Sequence, residues 1–131
     1  MLKLSGSMFT AKSWEWRTPA LLYEDLDAEF HFDLDPCPIG GSDNGLSPLF
    51  VSWTGRRVFC NPPYGPGIKE WLARAPEAEI AVFLLPARTD TAWFHDLCLS
   101  GSAEIRFLRG RLRFNDAGRA PFPSMLVIFR K

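Results

Sequence analysis

The chain has 131 residues, close to the commonest size of a domain with one core, so we predict a single domain over residues 1–131. Its 15 basic and 15 acidic residues give a formal net charge of zero, which excludes a strongly basic nucleic-acid binder and leaves only a local basic patch. No segment approaches the roughly 20 apolar residues of a membrane span, so we expect no membrane partner.

The cysteines argue against metal and disulfide chemistry. Cys37, Cys60 and Cys98 are odd in number, widely spaced and without a C-x-x-C pair, so we expect neither a metal site nor a disulfide framework. Reduced thiols and an N-terminal apolar run too short for a signal peptide indicate a cytoplasmic protein. Residues 1–13 are predicted to be a flexible N-terminus.

The first half of the chain alternates short apolar runs with amphipathic ones, the pattern of an α/β domain. Thr18 followed by Pro19 predicts the N-cap and first residue of a helix that runs to about Asp27. The stretch "FHFDLD", residues 30–35, predicts a short strand followed by turns. A second strand, "RVFC", is predicted to end at Asn61.

The second half continues this alternation. "GIKEWLARA" has apolar residues at helical spacing until Pro76 ends the helix. The almost continuous apolar run over 79–86 predicts the central strand, buried on both faces. "DTAWFHDLCLSG" predicts a short helix capped by Asp90 or Thr91, followed by the strands "AEIRFL" and "SMLVIFR". Between these strands, residues 109–123 are too long for a tight turn and predict a projecting arm.

Polar or proline-rich stretches follow three of the predicted strands, over residues 33–38, 61–64 and 86–90. Ligands of open α/β sheets bind at the carboxyl ends of strands, so these stretches predict a site at one edge of the sheet. "NPPY", at 61–64, is the most specific signal. A given tetrapeptide arises by chance in on the order of one such chain in a thousand when each residue type has a frequency of about 5 per cent.

The order "WRTP", "FDLDPCP", "NPPYG", "LLPARTDTAWFH" and "GRLRF" resembles the small phage-type DNA N6-adenine methyltransferases, from Trp14 to Phe129. "NPPY" after a strand is similar to the catalytic motif of amino-methyltransferases. The resemblance implies S-adenosylmethionine as cofactor and DNA as partner. It also implies a reduced Rossmann-like α/β fold, with a mostly parallel sheet and a C-terminal antiparallel strand.

By the same resemblance, an early motif and an acidic motif line the cofactor pocket. The implied cofactor-binding residues are Trp16, Thr18, Pro19, Asp33, Asp35 and Pro36. The alternative is that the two aspartates are solvated acids at the end of a strand, or that the second of them caps the turn before the proline.

The chemistry of residues 61–64 supports a catalytic role independently of the resemblance. An exocyclic amino group is a poor nucleophile until acceptors draw its hydrogens out of the ring plane. The side-chain carbonyl of Asn61 and the main-chain carbonyl of Pro62 would be these acceptors, held in place by Pro62 and Pro63. Tyr64 would stack on an extruded base. The alternative is a plain turn in which Tyr64 covers the sheet edge.

Four arginines are the predicted DNA contacts. Arg109, Arg111 and Arg113 alternate along the arm and would lie on one side of it, and Arg88 follows the central strand. The alternative for the arm is a solvated strand edge that its charges protect from aggregation. The alternative for Arg88 is an ion pair with a neighbouring carboxylate.

Two departures from larger methyltransferases limit the assignment. Asn61 follows Asp35 by only 26 positions, too few for two further strand and helix units, so the residue that binds the cofactor ribose is not assigned. No target-recognition domain is recognisable, so we expect sequence specificity to be low, to be supplied by a homodimer or a partner protein, or to be limited to a few bases read by the arginine arm. The other substrates compatible with "NPPY" are cytosine N4, RNA and protein glutamine. An inactive remnant that binds nucleic acid or protein is the non-enzymatic alternative.

Overall fold

The computed structural model describes residues 17–37, 51–115 and 118–131, so the predicted flexible N-terminus lies outside the described residues. The helical elements are α1 (Ala20–Phe30), α2 (Ile68–Leu72), a 3-10 helix (Ala75–Glu77) and a π-helix (Phe94–Leu99). The strands are β1 (Arg57–Cys60), β2 (Ile80–Pro86), β3 (Glu104–Phe107), β4 (Arg113–Asn115), β5 (Gly118–Arg119) and β6 (Ser124–Arg130). No helix in these ranges is both long and apolar enough to cross a membrane.

A four-stranded mixed sheet with the order β1-β2-β6-β3 forms the centre of the protein. β1 and β2 are parallel, whereas β6 is antiparallel to both of its neighbours. The α/β prediction is therefore confirmed. The prediction of a mostly parallel sheet was wrong, because β6 lies between β2 and β3 and makes both of its pairings antiparallel, whereas the predicted C-terminal antiparallel strand is confirmed. The carboxyl ends of β1, β2 and β3 nevertheless meet at one edge of the sheet.

The core lies around β2, an inner strand of the sheet that is buried from Ala81 to Pro86. Phe83 of this strand packs against the rings of Trp53, at 6.0 Å, and Phe129, at 5.7 Å. Trp53 and Trp71 are both buried in this core. β2 pairs with a neighbour on each side and carries a run of large apolar side chains. This pattern is the reason why the central strand could be predicted from the sequence.

The first helix differs from the prediction at both ends. Pro19 is its N-cap, no side chain caps it, and the hydroxyl of Thr18 is used elsewhere, so the prediction of Thr18 as N-cap was wrong. The helix continues beyond Asp27 to Phe30, which is buried in the core. It ends because His31 adopts a left-handed conformation, with φ of 54°.

The predicted strand over residues 30–35 is reduced to one parallel bridge, between Leu34 and Val58 of β1. Its first residue belongs to α1, and Pro36 has no N–H with which to continue the pairing. The single bridge still sets the direction of this segment. It runs parallel to β1 and therefore ends at the same edge of the sheet.

The later elements agree more closely with those predicted from the sequence. The two strands predicted as "RVFC" and "SMLVIFR" are confirmed as β1 and β6. α2 ends at Leu72, earlier than predicted, and Pro76 lies inside the 3-10 helix that follows. The N-cap of the π-helix is Trp93 and no side chain caps it, so the prediction of Asp90 or Thr91 as cap was wrong, although Oγ1 of Thr91 accepts a hydrogen bond of 3.3 Å from the N–H of Phe94.

A second, two-stranded antiparallel sheet is formed by β4 and β5, within the predicted arm between β3 and β6. In its register, Arg113 lies directly opposite Arg119. Like charges in this position destabilise a strand pair. The arrangement is therefore unfavourable for this small sheet in the absence of an anion.

An ion-pair network joins α1 to the sheet, away from the edge where β1, β2 and β3 end. Both terminal nitrogens of Arg106 bind the Glu29 carboxylate, at 2.8 and 2.7 Å, while its Nε binds Glu104 at 2.5 Å. Arg130 binds the same Glu104 at 2.8 Å. The hydrogen bonds from Arg106 lower the pKa of both glutamates below the usual value. The arginines of this region thus serve the scaffold.

Candidate active site

Two of the predicted site segments meet at the carboxyl edge of the sheet. Asn61 follows the last residue of β1 directly, and Asp35 follows the bridge residue Leu34. Because Leu34 pairs in parallel with Val58, both segments leave the sheet at the same edge. The structure therefore brings the acidic stretch and "NPPY" together, as the sequence predicted.

The N-terminus of α1 joins this edge through one side-chain hydrogen bond. The Nδ2 of Asn61 donates to the Oγ1 of Thr18 at 2.9 Å, across 43 positions of sequence. Both side chains are half-buried, as is Pro19. Thr18 was predicted from the resemblance as a cofactor contact. The structure places its hydroxyl on the catalytic candidate, a contact that no local sequence pattern indicates.

The two aspartates of the acidic stretch have different surroundings. The Asp33 carboxylate accepts hydrogen bonds from the N–H of Arg57, at 2.8 Å, and from Nε of Arg56, at 3.2 Å. These bonds fix the start of β1. The Asp35 carboxylate accepts one bond, from the N–H of Cys37 at 3.2 Å. The Asp35 side chain is exposed and retains acceptor capacity at the site edge.

The pKa of the Asp35 carboxyl is shifted from its ordinary value. Partial desolvation by the surrounding protein raises its pKa above the ordinary value, and the hydrogen bond from Cys37 opposes this shift. The side chain is nevertheless exposed, so a ligand can reach the carboxylate. A carboxylate in this setting is stabilised by a positively charged or hydrogen-donating ligand. The adjoining Pro36 is buried, and Trp16 lies outside the described residues.

The last residue of the motif, Tyr64, is built into the core. Its side chain is 5 % exposed. Its hydroxyl donates to the main-chain carbonyl of Leu84 in β2 at 3.1 Å, and burial raises its pKa well above the usual value. Its ring meets Phe122 edge to face, at 5.6 Å. Tyr64 thus links the motif to the end of the central strand, and its stacking on a base stays a prediction.

Phe122 is a site residue that sequence reasoning missed. It lies between the end of the arm and β6, with Tyr64 on one side and the guanidinium of Arg88 over its ring at 5.8 Å. The loop that carries Arg88 is held by Thr91, whose N–H and hydroxyl both bind the Arg88 carbonyl. The only sequence signal was an aromatic residue between two prolines, in "PFP", next to a predicted strand.

Six exposed arginines, which we call the arginine edge, lie beside this site. Its members are Arg17, Arg88, Arg109, Arg111, Arg113 and Arg119. Arg17 precedes α1, Arg88 follows β2, and Arg109 and Arg111 follow β3, while Arg113 and Arg119 belong to the β4–β5 sheet. These positions flank the carboxyl edge of the main sheet. Within the described ranges none of them forms an ion pair with a carboxylate. The ion pair considered for Arg88 is therefore not seen there.

The polar groups of the site are an amide, carboxylates, a hydroxyl and guanidinium groups. Among residues 17–37, 51–115 and 118–131 no group of three or more histidine, cysteine or acidic side chains could hold a metal ion. The nearest thiol, Cys60, is fully buried, and burial raises its pKa well above the usual value. The site is suited to accept hydrogen bonds from a ligand and to orient it.

Comparison with protein families identifies one match. A family model described as DNA N-6-adenine-methyltransferase (Dam) matches residues 7–131. Comparison with curated proteins and with solved structures gave no match.

Proposed function

Because the chain belongs to the DNA N-6-adenine-methyltransferase (Dam) family, we propose that the carboxyl edge of its sheet is the place of methyl transfer. The protein is an enzyme that methylates the N6 amino group of adenine in DNA, and the family implies S-adenosylmethionine as methyl donor. The observation that carries our assignment of the site is the parallel bridge between Leu34 and Val58, which joins the acidic stretch to "NPPY" at one edge.

We assign the fold to a reduced Rossmann-like class with a single domain. Support comes from strand direction, since β1, β2 and β3 run the same way and only β6 of this sheet runs against them. The segment around Leu34 extends the sheet beyond β1 by one further parallel pairing. Binding at the carboxyl ends of the strands is the rule for open sheets of this kind.

Asn61 and Pro62 would accept the two hydrogens of the adenine amino group. The Asn61 carbonyl and the Pro62 main-chain carbonyl follow β1 directly, and the prolines restrict the backbone that carries them. Fixed acceptors draw the amino hydrogens out of the ring plane and make the nitrogen lone pair available. Such preorganised polar groups stabilise a transition state because they need no reorientation when charge develops.

Asp35 fits the methyl donor better than Asp33 does. S-adenosylmethionine supplies, when bound, an electrophilic methyl group on a sulfonium, and it also carries an ammonium group and ribose hydroxyls. The Asp35 carboxylate is partly desolvated and has acceptor capacity left, whereas that of Asp33 is occupied by Arg56 and Arg57. We therefore assign cofactor binding to Asp35, together with Pro19 and Pro36 at its side, and a scaffold role to Asp33.

This assignment predicts opposite outcomes for two matched substitutions. Asp35→Asn should weaken binding of S-adenosylmethionine by about 10- to 100-fold, the value of one hydrogen bond to a charged group. Asp33→Asn should leave that affinity nearly unchanged and lower the thermal midpoint, since it weakens the bonds to Arg56 and Arg57. Isothermal titration calorimetry and thermal unfolding of both variants measure this. Equal loss of affinity in the two variants would contradict our choice of Asp35.

DNA would lie along the arginine edge. Six exposed guanidinium groups flank the site and have no carboxylate partner in the part of the chain that the structure describes, while Arg56 before β1 and Arg130 at the end of β6 pair with acids. Arg113 and Arg119, which oppose each other in the β4–β5 sheet, would be relieved of their repulsion by a phosphate. Contacts to phosphates give affinity without sequence information. We therefore propose that target recognition is weak or comes from a second copy or a partner protein, and that the enzyme acts in the cytoplasm.

Removing charge from the arm should change the salt dependence of DNA binding. Arg111→Gln/Arg113→Gln should flatten the slope of log affinity against log salt by roughly one unit for each lost phosphate contact. The loss should be similar for DNA of any sequence. Fluorescence anisotropy at several salt concentrations measures it.

The matched control is Arg130→Gln/Lys131→Gln, which removes the same charge at the opposite end of the sheet. We expect its slope to equal that of the unmodified protein. Equal slopes for both double variants would take the arm out of the DNA path.

A further inference from the structure

The hydroxyl of Thr18 has a specific partner that its place in the sequence does not explain. It lies just before α1 but caps no N–H of that helix, since the helix has no side-chain cap. It accepts instead a hydrogen bond of 2.9 Å from Nδ2 of Asn61. The contact joins the two motifs through the residue to which methyl transfer is assigned.

We propose that Thr18 is a positioning residue for methyl transfer, which holds the Asn61 amide with its oxygen directed away from Thr18 and toward the amino group of the substrate. The inference rests on the proposed role of Asn61. Its physical basis is that the two ends of an amide have opposite hydrogen-bonding character. The oxygen accepts, whereas the nitrogen only donates.

The orientation matters because the substrate group is itself a donor. If the Asn61 amide were rotated by 180°, its NH2 would face the NH2 of adenine. Both groups are hydrogen-bond donors, so no hydrogen bond could form between them. In the observed orientation the donor end is bonded to Thr18, at 2.9 Å, so the acceptor end points away from Thr18. Thr18 thereby restricts the rotation of the amide before substrate arrives, which is the preorganisation that an acceptor needs.

The same bond also affects the strength of the acceptor. Hydrogen bonds in series polarise one another, so an amide whose N–H is bonded carries more negative charge on its oxygen. Thr18 therefore acts on the reacting amino group through Asn61, without touching it. The alternative role is a direct cofactor contact. In that case removal of the Thr18 hydroxyl would weaken cofactor binding and leave turnover unchanged.

Two substitutions separate these roles. Thr18→Val keeps the shape and removes the acceptor, and since the hydroxyl caps no helix it should not unfold α1. We expect its kcat to fall about tenfold, the equivalent of one neutral hydrogen bond. The Kd for S-adenosylmethionine and the KM for DNA should stay the same. Thr18→Ser, which retains the hydroxyl, should recover most of the lost turnover.

A spectroscopic readout does not depend on activity. The side-chain NH2 signals of Asn61 can be assigned in a nitrogen-15 spectrum by their disappearance in Asn61→Ala. Their exchange with water should be slow in the unmodified protein and in Thr18→Ser, and faster in Thr18→Val, where the bond of 2.9 Å is lost.

Three results would each overturn the inference: an unchanged kcat in Thr18→Val, an equal loss in Thr18→Ser, or a loss of cofactor affinity in place of turnover. Unchanged exchange of the Asn61 NH2 in Thr18→Val would do the same. Failure of the proposed function itself is distinguishable, because it would appear as full activity in Asn61→Ala. Normal turnover in Thr18→Val alone leaves the role of Asn61 intact.

Discussion

Replacement of Asn61 by alanine is expected to lower the rate of methyl transfer to adenine by about 10²- to 10³-fold, the usual cost of removing one preorganised polar group from a transition state. The substitution deletes the carbonyl that would accept an amino hydrogen, and only the main-chain carbonyl of Pro62 remains. It also breaks the bond to Thr18. The strand that precedes Asn61 is buried in the sheet and should not change.

The rate is measured by digesting methylated DNA to nucleosides and quantifying N6-methyldeoxyadenosine by mass spectrometry. Two controls accompany it. The affinity for S-adenosylmethionine should stay within a few-fold of that of the unmodified protein, and the thermal midpoint should fall only slightly. Turnover equal to that of the unmodified enzyme would remove Asn61 from the mechanism, and N4-methyldeoxycytidine as the main product would contradict the assigned target atom.

Tyr64 is expected to show a large difference between two substitutions. Tyr64→Phe removes only the hydroxyl that binds the Leu84 carbonyl, so it should lower the free energy of unfolding by about 1 kcal/mol and leave most of the activity. Tyr64→Ala removes a ring that is 5 % exposed, and should lower the free energy of unfolding by about 3–5 kcal/mol. If the ring also contacts the extruded base, a further ~1–3 kcal/mol of stacking is lost from DNA binding or turnover.

A matched control separates stability from stacking. Tyr23, the other tyrosine of the chain, lies on α1 and packs against Phe32 and Phe59, so Tyr23→Ala removes a second tyrosine ring that lies outside "NPPY". Activities are compared at a temperature where urea titration shows all variants to be folded. Tyr64→Ala should then be much less active than Tyr23→Ala. Equal activities would mean that Tyr64 only supports the fold.

The strands near the core could be predicted because their apolar runs and the turn residues that flank them both indicate a strand. The apolar runs that became β2 and β6 are long enough to exclude other structures, and turn residues bound them. The stretch "FHFDLD" was mispredicted because short alternating runs fit a strand as well as a helix end. Its outcome depended on His31 adopting a left-handed conformation and on burial of Phe30, which are tertiary effects.

The meeting of the two candidate segments could be predicted from sequence, but the roles of their residues could not be assigned. The motifs after two parallel segments were expected at one edge, and they meet there. Asp33 and Asp35 are equivalent in a strand pattern, since alternate residues share a face. Only the approach of Arg56 and Arg57 distinguishes them. The bond between Thr18 and Asn61 spans 43 positions, beyond the reach of any local pattern.

The division between paired and unpaired arginines has a consequence for how the enzyme finds its substrate. With a formal net charge of zero, the molecule exerts little attraction on DNA beyond the Debye length of about 8 Å at physiological salt. As the proposed DNA contact, the arginine edge would act only close to the backbone, whereas the ion pairs elsewhere would not hold the protein in other orientations. Association with DNA would therefore be slower than for a strongly basic protein, and the encounters that persist would be those in which the arginine edge faces the duplex.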